Sequence, residues 1–283
     1  MILASTVEEL NAALAESRAS DKKVGLVPTM GALHSGHLSL AELARVHSDT
    51  VVVSVFVNPK QFGEGEDFDK YPRTLDQDLA ALEGVADIVF APSVDEVYPA
   101  GVDVPAKHAG PVGATFEGES RPGHFDGMLT VVARLFDLVK PNVAVFGEKD
   151  AQQLFLVRQL AKADFPGLRI IGAEIVREAN GVAMSSRNRF LNAEQADIAE
   201  ILAITLATVS QLIETGMDVR ATLAMGVQMI SGEPETKLEY LALVDPETFT
   251  PVGENFSGPA ILLVAAIVGG VRLIDNHSFE IPA

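Results

Sequence analysis

The stretch VGLVPTMGALHSGH, residues 24–37, indicates the fold of this chain more directly than any other segment. Val24–Val27 is a short apolar run typical of a buried strand, and a helical spacing of apolar residues begins at Leu33. Gly31 and Gly36 lie in this connection, where glycine permits tight turns and lets a ligand approach the backbone. A strand, a glycine-containing turn and a helix in this order predict the first part of a β-α-β unit.

The segments around this stretch alternate in the same way. Further strands are predicted at Thr50–Val57, Ala86–Ala91, Val143–Phe146 and Arg169–Val176. Helices are predicted around Leu10–Leu14, Leu33–Ala44, Thr74–Leu82, Met128–Val139 and Ala151–Ala163. The alternation predicts an α/β fold with a Rossmann-like, doubly wound parallel sheet. Ligands of such sheets bind outside the carboxyl ends of the strands, so we expect the functional site there.

The pattern changes after about residue 177. Ala193–Ile213 is a long amphipathic helix with Asn192 as its predicted N-cap, and a second helix is predicted at Val219–Ile230. Strands are predicted at Leu238–Val244 and at Ala260–Ile274, the latter as a hairpin around Gly269-Gly270. Helices followed by antiparallel strands predict a second, smaller α+β domain. We therefore expect two domains, 1–176 and 177–283.

The composition excludes several classes of protein. The chain has 283 residues, of which 48% are hydrophobic, so it can bury a core and is not disordered. Its 21 basic and 39 acidic residues give a net charge of −18, which disfavours nucleic-acid binding. It has no cysteine, which excludes disulfides and thiol catalysis. The longest apolar run, Ala260–Val268, is too short to cross a membrane, and no signal peptide is recognisable, so we expect a cytoplasmic protein.

His34 and His37 lie where the predicted helix of the first stretch begins. Free N–H groups at a helix N-terminus favour phosphate, and imidazoles can donate to phosphate oxygens or neutralise developing charge. Two solvated turn histidines are the simpler interpretation, but the preceding strand and the glycines argue against it. Zinc is a weaker alternative because no third ligand stands at a suitable spacing.

A second polar cluster lies at the predicted domain boundary, in Val176–Glu178 and Met184–Asn188. Ser185 and Ser186 beside Arg187 can form a phosphate clamp, and a hinge loop can close such a clamp over a nucleotide. Taken alone, this segment is equally well interpreted as a serine-rich linker.

Together the two clusters resemble the HxGH and KMSKS-like signatures of the adenylylating nucleotidyltransferase superfamily. At closer range the chain resembles the pantoate–β-alanine ligase family. The resemblance is carried by five runs in order: Val27–Leu38, Phe56–Phe62, Arg121–Gly127, Phe146–Gln153 and Met184–Asn188. It implies an AMP-forming acid–amine ligase. Such an enzyme condenses pantoate with β-alanine, using ATP, through a pantoyl-adenylate intermediate, and releases pyrophosphate and AMP.

The resemblance also implies roles for individual residues. The residues it makes catalytic are His34, His37, Lys149, Ser185, Ser186 and Arg187. The residues it assigns to pantoate are Met30, Asn58, Gln61 and Gln153. The residues it assigns to ATP are Pro28, Thr29, Met30, Gly31, His34, Gly36, His37, Gly147, Glu148, Lys149, Asp150, Val176, Met184, Ser185, Ser186 and Arg187. Tyr71, Arg121 and His124 are expected to organise the entrance of the site.

The same resemblance implies a homodimer whose first domain binds ATP and pantoate and whose second domain closes over the site. Magnesium is expected on the ATP phosphates, with no metal bound by the protein alone. The sequence leaves open whether Asp76 or Asp78 contacts that magnesium. The acidic stretch Glu64–Asp67 is interpreted as a solvated loop rather than a metal site.

Three other functions compete with this interpretation. An adenylyltransferase would leave AMP on its product, but the amides of Asn58, Gln61 and Gln153 favour a small hydroxy acid. A class I aminoacyl-tRNA synthetase shares HxGH, but the charge of −18 and the lack of an anticodon-binding domain disfavour it. A nucleotide-binding regulator without turnover is disfavoured by the presence of both histidines and of Arg187.

Overall fold

A parallel sheet formed by the apolar runs is the centre of the first part of the chain. The structure is a computed structural model and describes residues 1–63, 68, 71–253 and 255–283. The strands of this sheet are β1 (Ile2–Ala4), β2 (Val24–Thr29), β3 (Thr50–Val55), β4 (Ile88–Phe90), β5 (Val143–Gly147) and β6 (Arg169–Ala173). Within the described residues they pair in the order β1-β4-β3-β2-β5-β6, and every pairing is parallel. The predicted α/β fold class is confirmed.

Helices cover both faces of this sheet. They are α1 (Val7–Ala19), α2 (Ser35–His47), α3 (Leu75–Leu82), α4 (Val94–Val97), α5 (Glu117–Ser120), α6 (His124–Val139) and α7 (Ala151–Asp164). Leu26 of β2 and Val52 of β3 belong to the core that includes α1 and α6. The neighbouring residues Val27 and Val53 belong to a separate core with Leu40 of α2. Alternate residues of each strand are therefore buried on opposite faces, as a continuous apolar run requires.

The order of the strands determines where a ligand can bind. From β2 the chain continues to β3 on one side, whereas from the adjacent β5 it continues to β6 on the other side. The connections therefore leave the carboxyl ends of β2 and β5 in opposite directions, which opens a crevice between them.

The chain divides into two compact units, and the division differs from the expected one. The first unit is Met1–Glu148 with Gln152–Glu174, and the second is Lys149–Ala151 with Ile175–Ala283. The boundary thus lies two residues before the expected 176/177, because Met184 N–H donates to Val176 O at 2.9 Å. The segment Lys149–Ala151 was not expected in the second unit. It is held there by Asn276, whose Nδ2 donates to Lys149 O at 2.9 Å.

The second unit contains α8 (Ala193–Glu214), α9 (Val219–Ser231) and an antiparallel sheet of β7 (Thr236–Val244), β8 (Gly258–Val268) and β9 (Val271–Ile281), in that order. Asn192 caps α8 as predicted, since its Oδ1 accepts from Gln195 N at 2.9 Å. Gly269 and Gly270 form the predicted hairpin, both with positive φ. Helix α8 is long and apolar enough to cross a membrane by length and composition alone, and its residues Leu206 and Val209 are buried in the core of this unit.

Several predicted boundaries are wrong for local reasons. Strand β3 ends at Val55 rather than Val57, and β6 ends at Ala173 rather than Val176. Helix α6 begins at His124, four residues before the predicted start, because Gly123 adopts the left-handed conformation that starts the helix there. Strand β1 was missed because it has only three residues and two of them are exposed.

Candidate active site

Three segments of the first unit with polar side chains follow the carboxyl ends of adjacent strands. Residues 30–37 follow β2, residues 56–62 follow β3, and Gln152 and Gln153 come shortly after β5. The strands β3, β2 and β5 are neighbours and parallel, so their carboxyl ends lie at one edge of the sheet. This is the edge at which the strand order predicts a ligand.

The turn that precedes α2 is held by a buried carboxylate. Gly31 and Ala32 both have positive φ, at 81° and 52°, which an alanine adopts only at an energetic cost. Asp78 of α3 compensates that cost, since its Oδ2 accepts from Ala32 N at 3.1 Å and its Oδ1 from Leu33 N at 2.8 Å. Asp78 is only 2% exposed. It therefore fixes the turn from a helix more than forty residues away.

This turn presents both histidines at the start of α2. His34 occupies the N-cap position, and the two imidazole centroids are 4.1 Å apart. The backbone N–H of His34 donates to Nδ1 of His37 at 3.4 Å. Because Nδ1 accepts, a neutral His37 carries its proton on Nε2 and can donate that proton to a ligand oxygen. The N-terminus of this 13-residue helix adds a partial positive charge.

Asn58, which is predicted to bind pantoate, makes its side-chain hydrogen bonds to other residues of the protein. It is fully buried at the start of the short 3₁₀ helix Pro59–Gln61. Its Nδ2 donates to Gly127 O at 3.0 Å and to Gln61 Oε1 at 3.3 Å. Its Oδ1 accepts from Tyr98 Oη at 2.9 Å and from Lys60 N at 3.3 Å. These four bonds use the capacity of the amide, so Asn58 orients Gln61 instead of offering a group to a ligand.

The start of α6 supports the same 3₁₀ helix. His124 Nδ1 donates to Gln61 O at 2.9 Å, so its Nε2 is the acceptor for Arg121, at 3.1 Å. A side chain at Gly127 would overlap the carbonyl of Lys60. The run Arg121–Gly127 thus positions the segment that carries Gln61, in line with the organising role expected for Arg121 and His124.

Two adjacent glutamines on α7 are placed differently. Gln152 is buried, and its Nε2 donates to the carbonyls of Val112 and Thr115 at 2.7 and 2.9 Å. Its Oε1 accepts from Glu117 N at 3.1 Å. Gln153 is half-buried, and its side chain makes no hydrogen bond within the part of the chain that the structure describes. Gln153 is therefore available to a ligand, whereas Gln152 holds the 112–117 segment.

Of the remaining predicted residues, Gly147 and Glu148 belong to the first unit. The second unit contains Lys149, Asp150, Val176, Met184, Ser185, Ser186 and Arg187. Arg177 binds Asp275 with two bonds of 2.6 and 3.1 Å, and the side chain of Asp275 is only 3% exposed. Arg177 also pairs with Ala183 across a short bridge, which sets Val176 opposite Met184. The loop between residues 176 and 184 is thereby fixed to β9.

Ser185 ends this loop and caps the 3₁₀ helix Ser186–Phe190, since its Oγ accepts from Arg187 N at 3.2 Å. Ser186 is half-buried and Arg187 is exposed. Lys149 and Ser185 line the same small cavity of about 10 Å³ beside Asp275. Within the second unit, therefore, the four predicted phosphate contacts, Lys149, Ser185, Ser186 and Arg187, lie on segments next to β9 or to the loop 176–184 that is fixed to it.

The described residues contain no group of three or more His, Asp or Glu side chains able to hold a metal ion. Asp78 uses both carboxylate oxygens on backbone N–H groups, and Asp76 is exposed on the other side of the same helix turn. These two carboxylates therefore do not fit a magnesium site of the protein. The stretch Glu64–Asp67 lies outside the described residues.

Sequence reasoning missed four residues that build the site: Asp78 as an anchor, Tyr98, Gln152 and Asp275. Each acts on a partner between 35 and 98 positions away along the chain. No local spacing marks such a pair. For Gln152, the only signal was its place beside Gln153 in a matched run.

Comparison with protein families identifies one match across nearly the whole chain. The sequence model of the family described as Pantoate-beta-alanine ligase matches residues 2–278. The chain is 50% identical over 279 residues to the pantothenate synthetase of Leifsonia xyli subsp. xyli, covering 98% of this chain and 96% of that protein. It is 51% identical over 288 residues to the pantothenate synthetase of a Nocardioides species, covering 97% and 84%.

Solved structures give the same result. The pantothenate synthetase of Thermus thermophilus superimposes with a TM-score of 0.91 at 44% identity, with full coverage of both chains. The pantoate-beta-alanine ligase of Francisella tularensis, solved in complex with beta-gamma ATP and beta-alanine, has a TM-score of 0.77 at 34% identity. That alignment covers 98% of this chain and 97% of the other.

The anchoring of the turn by Asp78 can be tested by stability. Asp78→Ala leaves the N–H groups of Ala32 and Leu33 buried without an acceptor. Each such group costs about 1–3 kcal/mol, so we expect the free energy of unfolding to fall by about 2–6 kcal/mol. Urea denaturation followed by circular dichroism measures the change.

Asp76→Ala is the matched control, since it removes an exposed carboxylate from the same helix. We expect its free energy of unfolding to stay within about 0.5 kcal/mol of the parent chain. Equal unfolding midpoints for the two variants would contradict the role of Asp78.

Proposed function

The chain belongs to the pantoate-beta-alanine ligase family, and we propose that the polar groups at the carboxyl edge of its parallel sheet carry the reaction of that family. It is an AMP-forming ligase that condenses pantoate with β-alanine at the expense of ATP. The reaction passes through pantoyl adenylate and releases pyrophosphate and AMP. The observation that carries the assignment of the site is the pair His34 and His37 at the start of α2. The segments that carry Gln61 and Gln153 follow the neighbouring strands at the same edge of the sheet.

In the first step a carboxylate oxygen of pantoate attacks the α-phosphorus of ATP, and the bond to pyrophosphate breaks. Negative charge is spread over the phosphate oxygens during this transfer, so fixed donors around them lower the barrier. We assign this work to His34 and His37, with Nε2 of His37 donating to a phosphate oxygen. The backbone N–H groups at the start of α2 add to the same field.

Pantoate is held by amides. Gln61 and Gln153 donate to its carboxylate and accept from its hydroxyl groups. One hydrogen of the Gln61 NH₂ goes to Met30 Sδ at 2.7 Å, and the other is assigned to pantoate. Asn58, which the sequence assigns to pantoate, acts through Gln61 because its own bonds are used. Neutral donors suit an anion that must react as a nucleophile, because they orient it without neutralising its charge.

The other ATP contacts follow the matched runs of the family. Lys149, Ser185, Ser186 and Arg187 bind the phosphates. Gly147 and Asp150 surround the ribose, Glu148 is a further ATP contact, and Val176 and Met184 line the adenine. Pro28, Thr29, Gly31 and Gly36 contribute through their backbone. In this assignment the second unit closes over the bound nucleotide. Magnesium enters on the ATP phosphates as part of the substrate, because Asp76 and Asp78 do not fit a metal site.

In the second step the amine of β-alanine attacks the acyl carbon of pantoyl adenylate, and AMP leaves. Adenylation makes this possible by replacing a poor leaving group with a good one. We propose that the enzyme acts in the cytoplasm as a homodimer. Its place in a family of biosynthetic ligases supports the first proposal, and the resemblance of the matched runs supports the second.

Product analysis tests the reaction. The full chain is incubated with ATP, magnesium and pantoate, with and without β-alanine, and AMP, pyrophosphate and the organic product are measured. We expect sustained AMP release only with β-alanine, together with the amide product. Accumulation of an adenylylated final product would instead identify an adenylyltransferase. It would also contradict the assignment of the Gln61 and Gln153 amides to pantoate.

The role of His37 predicts a loss of turnover. His37→Ala removes a donor aimed at developing phosphate charge, so kcat should fall by about 10²–10³. His47→Ala, in the last turn of the same helix, is the control and should leave kcat within about twofold of the parent enzyme. A kcat of His37→Ala within a few-fold of the parent enzyme would exclude this role.

The role of Gln153 predicts a selective loss of affinity. Gln153→Ala removes a donor to pantoate, so the KM for pantoate should rise about tenfold or more, while the KM for ATP stays nearly constant. Gln159→Ala, an exposed glutamine on the same helix, should change neither constant. Equal increases in both KM values for Gln153→Ala would contradict its assignment as a pantoate ligand.

A further inference from the structure

Tyr98 stands at the end of a chain of hydrogen bonds that leads to the pantoate site. It follows α4 directly, and its hydroxyl lies 2.9 Å from Asn58 Oδ1. Asn58 Nδ2 in turn lies 3.3 Å from Gln61 Oε1. None of the matched family runs contains Tyr98, and the reaction as described above does not use it.

The backbone fixes the direction of every bond in this chain. Gly127 O can only accept, so the group of Asn58 facing it at 3.0 Å is the NH₂. Lys60 N–H can only donate, so the group facing it at 3.3 Å is the oxygen. Tyr98 must then donate to that same oxygen. The second hydrogen of the Asn58 NH₂ goes to Gln61 Oε1, which turns the Gln61 NH₂ away from Asn58. That NH₂ donates one hydrogen to Met30 Sδ at 2.7 Å and keeps a second hydrogen for a ligand.

We propose that Tyr98 is a positioning residue that sets the affinity for pantoate, by holding Asn58 in the orientation in which Gln61 presents its NH₂ to the substrate. The inference rests on the proposed role of Gln61 as a pantoate ligand. In the opposite orientation, Gln61 would present its carbonyl oxygen to the same place. That oxygen would repel a carboxylate where the NH₂ attracts one.

The surroundings of Tyr98 keep its hydroxyl in this position. Lys60 Nζ lies 4.1 Å from the centroid of its ring, and the ring of Phe56 lies 6.4 Å away. Burial raises the pKa of Tyr98 well above its usual value, and the nearby Arg134 offsets only part of this rise. The hydroxyl therefore remains protonated, and remains a donor, at any pH at which the enzyme works.

Tyr98→Phe tests the proposal, because it deletes the hydroxyl and keeps the ring. We expect the KM for pantoate to rise about tenfold, as the loss of one buried hydrogen bond allows, with the KM for ATP within twofold of the parent enzyme. Tyr240→Phe removes a hydroxyl from β7 in the second unit and is the matched control, with both constants unchanged. A pantoate KM within twofold in Tyr98→Phe would overturn the proposal.

A double-mutant cycle separates this inference from the proposed function. Gln61→Ala should raise the pantoate KM, and adding Tyr98→Phe should raise it no further, because Tyr98 acts through Gln61. Additive effects would mean that Tyr98 acts by another route, which overturns the inference and leaves the role of Gln61 intact. An unchanged pantoate KM in Gln61→Ala would instead overturn the proposed role of Gln61, and the inference with it.

A second variant keeps the test decisive if Tyr98→Phe unfolds. Asn58→Asp is nearly isosteric but offers an oxygen where the NH₂ stood, so Gln61 must turn its own NH₂ inward to donate to it. We expect a pantoate KM raised by more than tenfold, with the ATP KM within twofold of the parent enzyme. Parallel increases in both constants would mean general disruption and would count against the proposal.

Discussion

The parallel pairing of β3, β2 and β5 is the constraint on which the site depends. It brings the segments after Thr29, Val55 and Gly147 to one edge of the sheet, although they are far apart in sequence. The chain leaves β2 and β5 in opposite directions, so this edge is open to a ligand. Every group assigned to pantoate lies on one of these segments, and so do His34 and His37, which are assigned to the phosphate that is attacked. A change in the order of these strands would therefore separate the histidines from the amides.

The polar side chains at this edge fall into two groups. Asp78, Asn58 and Gln152 are buried, and their hydrogen-bonding atoms are committed to the protein. His37, Gln61 and Gln153 form the second group, which carries the donors assigned to the substrates. Gln61 is buried as well, and its Oε1 accepts from Asn58. The first group pre-orients the second, so the donors need not be ordered when substrate arrives. Such support is costly to build, because every buried polar atom must find a partner.

The local part of this structure could be predicted from sequence and the long-range part could not. The apolar run of β2, the N-cap Asn192 and the hairpin at Gly269-Gly270 follow from patterns within a few residues, and all three were predicted. The bond from Asp78 to the turn before α2 spans 46 positions, and no periodicity records it. The same holds for the pairing of Arg177 with Asp275 over 98 positions. The histidines could be proposed from sequence because the turn and the helix start that mark them are local, whereas the residues that hold this turn were missed because only the fold brings them near it.

The acidity of the chain favours binding of its anionic substrates by donors that are close to the site and mostly neutral. A net charge of −18 repels both ATP and pantoate at long range, so attraction must arise close to the site. The start of α2 supplies partial charges that are fixed to the backbone and do not depend on a mobile cation. Amide donors then orient the pantoate carboxylate while leaving it charged, as a nucleophile requires. A cluster of lysines around the pantoate carboxylate would bind it more tightly, but it would stabilise the charge of the attacking group in the ground state and would not lower the barrier to its attack.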